Sequence, residues 1–443
     1  MNNRYRTSVI LIVTGGWFLL IIWPLAGHAA PPAAQQEIAP APVLQTGASG
    51  VLLPTLSNVA HPSVAVDSAG GIHMAFEPVS PAADGRLPAQ YAYCAANCLN
   101  RESWQVIAVG DAGLPGSEVR LVLTATGQPR LLWFAQRDWR TDGHYLFAAC
   151  DSACTRAANW RSVTVATESV GEGEGRHFTL DADGNPHFLY TSTQTGHSGA
   201  FHAYCLASCL SAQNWREQKI SDNYLLGSFS LAFDAQNRLR LALSAENNGQ
   251  TGLVYVTCDV QCTAVANWQA TALIQLGNEL DLSLRLDAAG RPRLAVYTGH
   301  SGVQGEEKRL YYFQCNNECH LFTNWTQSNV GLAEGEGGNV DLLLDGQSRP
   351  HLVVADSAFL PKQVHYVYCS SRCDTSRPVW QRRMVEDGDA VAGRICSVGY
   401  AYIGKRPALA WRDANRLLVA HGVEARCLGR DTTIHLVRLT MIE

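Results

Sequence analysis

Two stretches of alternating glycine and glutamate, Gly171-Glu172-Gly173-Glu174-Gly175 and Ala333-Glu334-Gly335-Glu336-Gly337, hold carboxylates in the close pairs that acid–base cleavage of a glycosidic bond requires. Two others share Thr-Gly-His-Ser-Gly: one carries His197 and Ser198, the other His300 and Ser301. Their imidazoles titrate near neutrality and could shuttle protons. A third cluster gathers Arg137, Asp138, Trp139, Arg140, Asp142 and His144. An indole beside guanidinium and carboxylate groups is the composition of a sugar-stacking platform. A plain reading stands beside each of these: Gly-Glu runs are commonly solvated, and loops copied along with a repeat resemble one another without a function.

The cysteines are the other reactive side chains, fourteen in all. Twelve form Cys-x-x-x-Cys pairs: Cys94-Cys98, Cys150-Cys154, Cys205-Cys209, Cys258-Cys262, Cys315-Cys319 and Cys369-Cys373. Their first members are spaced 56, 55, 53, 57 and 54 residues apart, and each pair leads to a Trp: Trp104, Trp160, Trp215, Trp268, Trp325 or Trp380. Thiolate pairs can ligate zinc, but each lies in a different repeat, so no four converge. Disulfides are expected, each closing a five-residue loop worth about 2 kcal/mol in the ideal chain-entropy model. Cys396 and Cys427 remain and are expected to bridge each other.

A second cassette precedes each pair: an apolar strand, an Asp-x-x-Gly-x-Pro-like turn, and another apolar strand. Phe178-Thr-Leu-Asp181-Ala-Asp-Gly184-Asn-Pro186 is one copy and Leu284-Arg-Leu-Asp287-Ala-Ala-Gly290-Arg-Pro292 another; others begin at Val64, Val119, Phe229 and Val340. A seventh, through Gly404-Lys-Arg-Pro407, has no Cys-x-x-x-Cys. Each unit thus supplies four short strands, A to D, rich in β-branched and aromatic residues and bounded by Gly, Pro, Asn and Asp. Four antiparallel strands repeated seven times predict an all-β, seven-bladed β-propeller with six local disulfides. A sandwich array is the rival, but so small a unit cannot bury both of its faces alone. The recurrent Trp residues are expected to pack blade on blade, and the turn Asp to cap nearby amides. Asp181-Ala-Asp183-Gly184 faintly suggests a calcium loop but lacks the remaining ligands, so no metal or cofactor is expected. Asn324-Trp325-Thr326 matches a glycosylation sequon, yet its Asn-Trp belongs to the repeat.

Arg4 and Arg6, the apolar run Val9 to Leu25 and the small residues at Gly27-His28-Ala29 read as an export signal over residues 1–30, cleaved or kept as an N-terminal anchoring helix. Residues 31–57, rich in Ala and Pro, read as a linker, and 58–443 as the propeller; residues 50–57 could supply the outer strand of the last blade, but Thr432 to Leu439 is expected to suffice. A charged content of 16% and a net charge of −5, with no long basic run, argue against nucleic-acid binding. A monomer is expected, secreted or at the cell surface. The A–B and C–D turns share one face of such a ring. The B–C loops and D–A crossovers share the other, where the long, variable loops would carry a site.

The strand–Asp-x-x-Gly-x-Pro–strand cassette resembles the BNR/sialidase-like superfamily of secreted bacterial propellers, over residues 60 to about 440. That resemblance implies carbohydrate or extracellular-matrix ligands. The sequence departs from it in the Asp box, Ser/Thr-x-Asp-x-Gly-x-x-Trp, in the Phe/Tyr-Arg-Ile-Pro motif, and in blade number, since sialidase domains have six. Sialidase activity is therefore not implied. Three functions remain open: a non-catalytic module binding a glycan or an extracellular protein through the B–C and D–A face, an extracellular hydrolase or lyase acting on polysaccharide, and a structural cell-surface protein.

Overall fold

The computed structural model describes residues 9–14, 17–22, 49–82, 85–113, 119–136, 143–168, 178–194, 196–221, 229–247, 250–262, 264–276, 280–298, 309–331, 339–356, 362–429 and 433–443. From residue 49 onward these form seven four-stranded antiparallel sheets, the blades of a β-propeller. Blades 1 to 6 each run A-B-C-D in chain order, from Val59–Val66 as strand A of blade 1 to Val379–Asp387 as strand D of blade 6. Near the N-terminus, Val9–Thr14 pairs with Trp17–Ile22 as an antiparallel hairpin. Among the described residues no helix is long and apolar enough to cross a membrane.

All fourteen cysteines are paired: six Cys-x-x-x-Cys bridges and Cys396–Cys427. In each local bridge the residue before the second cysteine is left-handed, with φ between 47° and 56° at Asn97, Ala153, Ser208, Gln261, Glu318 and Arg372. Only the asparagine favours that conformation, so the bridge holds a strained bend. Five of the six Trp residues then donate their indole N–H to the carbonyl of the second cysteine, at 2.8 to 2.9 Å.

The turn aspartate does more than cap amides. Its second carboxylate oxygen faces a basic residue six positions on, which begins strand B: Asp67 with His73, Asp181 with His187, Asp234 with Arg240, Asp287 with Arg293 and Asp345 with His351, at 2.8 to 3.5 Å. Where the residue is arginine it also reaches the C–D hairpin. Arg130, Arg240 and Arg293 donate to the carbonyl of the first cysteine and to the side chain just after it, Asp151, Asp259 or Asn316. Where it is histidine, the shorter ring stops at strand C, at Tyr91, His202 or Tyr366.

Blade 7 departs from its sequence reading. Gly404-Lys-Arg-Pro407 is not the A–B turn. Strand A runs unbroken through it as Gly399–Trp411, and Gly404 (φ 86°) and Arg406 (φ 45°) are bulges along its length. The turn is Asp413-Ala-Asn-Arg416, where Asp413 accepts the amides of Asn415 and Arg416. Leu417–Cys427 and Thr433–Ile442 follow, and Ser49–Leu52, at the end of the stretch read as linker, adds the outermost strand. The ring is thus closed by both ends of the chain. Among the described residues one α-helix, Gly388–Ile395, makes the crossover from blade 6 to blade 7, capped by Asp387. Cys396, just after it, is bridged to Cys427 at the end of strand B.

A buried polar knot secures the closing strand. Arg438, 1% exposed, pairs with Glu386 of blade 6 at 2.7 Å, and Glu386 accepts from Thr440. A Cβ on Gly50 would sit 2.7 Å from both Arg438 Nη2 and Thr440 Oγ1. Gly50→Val should therefore destabilise the chain by about 2 kcal/mol or more, read as a lower urea midpoint. His421, fully buried beside this pair, is pulled down to about 4 by burial, with Arg438 adding to it against the pull of Glu386 and the Gly422 carbonyl. The unfolded chain therefore protonates first, so stability is undiminished above pH 6.5 and falls as the pH drops towards 4. His421→Gln should lose less stability between pH 7 and pH 4.5 than the unaltered chain, measured by urea unfolding at both.

Candidate functional site

The seven A strands enclose a central channel with a cavity of about 370 Å³. Positions in these strands that face the next blade are apolar. The position four residues before the turn aspartate is not: Ser63, Ser230, Ser283 and Asp341 occupy it in blades 1, 4, 5 and 6. Each accepts an amide from the next A strand: Leu121 N to Ser63, Leu284 N to Ser230, Leu342 N to Ser283 and Leu409 N to Asp341, at 2.9 to 3.3 Å. Adjacent inner strands are not in a common sheet, so these side chains replace the backbone partners that an edge strand lacks.

The channel wall is charged on the side of blades 5 to 7 and 2. Asp341 Oδ1 is 2.9 Å from Arg285 Nη2 and 3.0 Å from Ser283 Oγ, while Asp281 Oδ2 accepts the amide of Val340 at 2.9 Å. Arg120 and Arg406 also line the cavity. In blade 1 Glu77, 1% exposed, accepts from His61 Nδ1 at 2.7 Å. Burial works to raise the Glu77 carboxyl, but His61, Arg406 and Arg120 together hold it below its ordinary value. Burial lowers Arg406 to about 10, against the attraction of Glu77. Among the described residues three guanidinium groups, Arg120, Arg285 and Arg406, and two carboxylates, Asp281 and Asp341, thus line the cavity, with the buried Glu77 a third carboxylate beside it. Asp341→Ala should orphan Leu409 N and cost about 1–2 kcal/mol, seen in denaturant unfolding with no change in the disulfides, while the partly exposed Arg285 turns to water.

Three residues expected at the site lie within the described chain. His144 is exposed at the start of strand C of blade 2, Gly143–Ala149. Ser198 is exposed near the start of strand C of blade 3, His197–Cys205, opposite Thr193 of strand B. His197 beside it stacks on Phe201, with ring centroids 4.1 Å apart, and lies 3.2 Å from Glu217 on the outermost strand. The structure therefore places His197 on the outer flank of the blade, away from the channel wall. Arg137, Trp139, Glu172, Glu174, His300, Ser301, Glu334 and Glu336 lie outside the described residues. The Asp181 loop, considered for calcium, has its carboxylates engaged: Asp181 by Asp183 N, Asn185 and His187, and Asp183 by Asn237 of the next blade. Among the described residues no group of three or more His, Cys, Asp or Glu could hold a metal ion. The channel charges were missed in the sequence. Their signal was polar or charged residues inside otherwise apolar A strands.

No family model matches the chain, and comparison with curated proteins gives no match. Solved structures do resemble it. A protein of unknown function from Dyadobacter fermentans superposes with TM-score 0.48 at 11% identity, covering 89% of this chain and 97% of the other. An α-L-arabinanase from Penicillium chrysogenum, complexed with arabinobiose, gives 0.48 at 9%, covering 90% and 98%. The NanB sialidase of Streptococcus pneumoniae gives 0.43 at 12%, covering 91% of this chain and 70% of its own. The fold assignment rests on the strand pairing described above. Seven disulfides in one chain suit a compartment outside the cytoplasm.

Proposed function

We propose that the chain is an extracytoplasmic recognition module on a sialidase-like propeller, binding a glycan or polysaccharide over the mouth of the central channel. The observation that carries this reading is the channel lining. It carries guanidinium and carboxylate groups side by side, and Asp341 and Asp281 are committed to backbone amides of the neighbouring blade. A general acid must be able to exchange its proton with the substrate, and carboxylates that hold the ring together are poorly placed to do so. A wall that mixes donors and acceptors suits hydroxyl groups. Secretion, or tethering through residues 1–30, completes this reading, with the protein acting as a monomer and without a cofactor.

The hydrolase reading rests on Glu172, Glu174, Glu334 and Glu336, and one experiment separates the two. The oxidised full-length protein is applied to a broad glycan array and incubated with the glycans that bind. Binding without cleavage, weakened about tenfold or more by Trp139→Ala or Arg285→Ala, supports recognition. Cleavage products that disappear in Glu174→Gln or Glu336→Gln would replace recognition with hydrolysis. An array without hits removes the glycan and leaves a protein ligand or a structural role.

A further inference from the structure

Five seams between blades are filled in the same way. The residue three before the first cysteine of one blade lies against the cassette Trp of the next: Tyr91 on Trp160, Phe147 on Trp215, His202 on Trp268, Tyr255 on Trp325 and Tyr312 on Trp380, with ring centroids 4.8 to 5.9 Å apart. The next ring in the series is Tyr366, and the seventh unit has no cassette Trp to cover it. At that seam, on the face of the A–B and C–D turns, the structure has a cavity of about 280 Å³. It is close to the lower end of the range for small-ligand pockets.

The wall of this groove is a ladder of rings. His351, Tyr366 and Tyr368 stack with planes 13° to 19° apart, and Trp411 meets His351 edge-on at 4.9 Å. Trp411 is fixed by its indole N–H on the carbonyl of Leu344, at 3.0 Å. The polar rim carries both signs: Asp345 pairs with Arg349 at 2.6 Å, Arg383 lies 5.5 Å over the Tyr368 ring, and Glu443 lines the same groove.

We propose that this groove binds a sugar ring of a neutral glycan, at a site separate from the channel and on the opposite face. Flat rings present an apolar face to the C–H face of a pyranose or furanose. A rim carrying both guanidinium donors and carboxylate acceptors matches hydroxyl groups, and its carboxylates give an anion no advantage. In the five regular seams an indole fills this place, so the space between blades takes a flat ring. The proposal does not rest on the channel reading.

The test titrates the oxidised full-length protein by calorimetry with cellohexaose, xylohexaose, mannohexaose and arabinohexaose, and with hexagalacturonate as the acidic counterpart. A neutral hexasaccharide should bind, and Tyr368→Ala should weaken it about tenfold or more. Ala414→Trp adds an indole from the exposed turn at the groove's edge, leaves the ring ladder intact and should block binding equally, with an unchanged melting temperature as the folding control. Loss in both variants supports the groove. Neutral-sugar binding untouched by both, preference for hexagalacturonate, or no binding by any neutral hexasaccharide overturns it. Binding abolished by Arg285→Ala but indifferent to Tyr368→Ala and Ala414→Trp belongs to the channel, and overturns the groove while the channel reading stands.

Discussion

An aspartate at the A–B turn and the basic residue six positions after it hold five of the six regular blades together, because they tie hairpins that the backbone alone leaves independent. In the arginine blades the pair is ionic, and the guanidinium continues to the first cysteine of the C–D hairpin: Arg293 reaches Asp287, the Cys315 carbonyl and Asn316 in one fork. In the histidine blades burial lowers His73 and His351 below their ordinary values even though Asp67 and Asp345 pull the other way. At neutral pH those links are neutral imidazoles, His73 hydrogen-bonded to Asp67 at 3.0 Å and His351 lying 3.5 Å from Asp345. Asp67 and Asp345 are nevertheless held below the ordinary carboxylate range, because hydrogen bonds from the histidine or arginine side chains and from turn amides outweigh burial. The disulfide staples one hairpin and this pair fastens the other to it. The cassette Trp then carries the connection into the next blade.

Blade 2 shows how strongly this arrangement constrains the sequence. Its turn has Thr124 in place of aspartate, and Arg130 finds its counter-charge at Asp151 instead, at 2.8 Å. The side chain after the first cysteine is Asp or Asn in the three arginine blades and Ala95, Leu206 or Ser370 in the histidine blades. A guanidinium has donors left after bonding the turn, and they must be met. An imidazole is too short to reach that position. Two repeat positions about twenty residues apart therefore change together within a single chain.

This explains why much of the fold was legible in the sequence. Repeats align themselves, so the staples, the Trp positions and the blade number could be read directly, including the Cys396–Cys427 bridge where the local one is missing. What was not legible lies where one unit departs from the others. The alternating apolar pattern around Gly404-Lys-Arg-Pro407 matches a turn cassette, but Arg406 is committed to the charge cluster around Glu77, and strand A runs on through the bulge. Ser49–Leu52 is four residues long with no pattern to mark it. Its place is fixed by Arg438 and Thr440, which leave room only for Gly50, a constraint nearly four hundred residues away in the chain. The channel charges were hidden for a related reason, since their partners lie in neighbouring blades.

The repeated residues are the least promising place to look for recognition. A cysteine, Trp or turn aspartate present in every unit is explained by what it does for its own blade and the next. Such a residue cannot single out one position on a ring of similar blades. A ligand that meets one place on a pseudo-symmetric scaffold must be distinguished by something that does not repeat. The molecule has two such departures among its described residues. One is the uneven charge of the channel wall, set by Arg120, Asp281, Arg285, Asp341 and Arg406 against serines elsewhere. The other is the seam at blade 7, where the closing strand, the helix and the relocated disulfide all displace the standard cassette and no indole follows Tyr366. Closure of this ring from both chain ends makes one unit irregular, and among the described residues that unit places no cassette Trp on the aromatic wall. In this chain the step that makes the ring stable also creates its most distinctive surface.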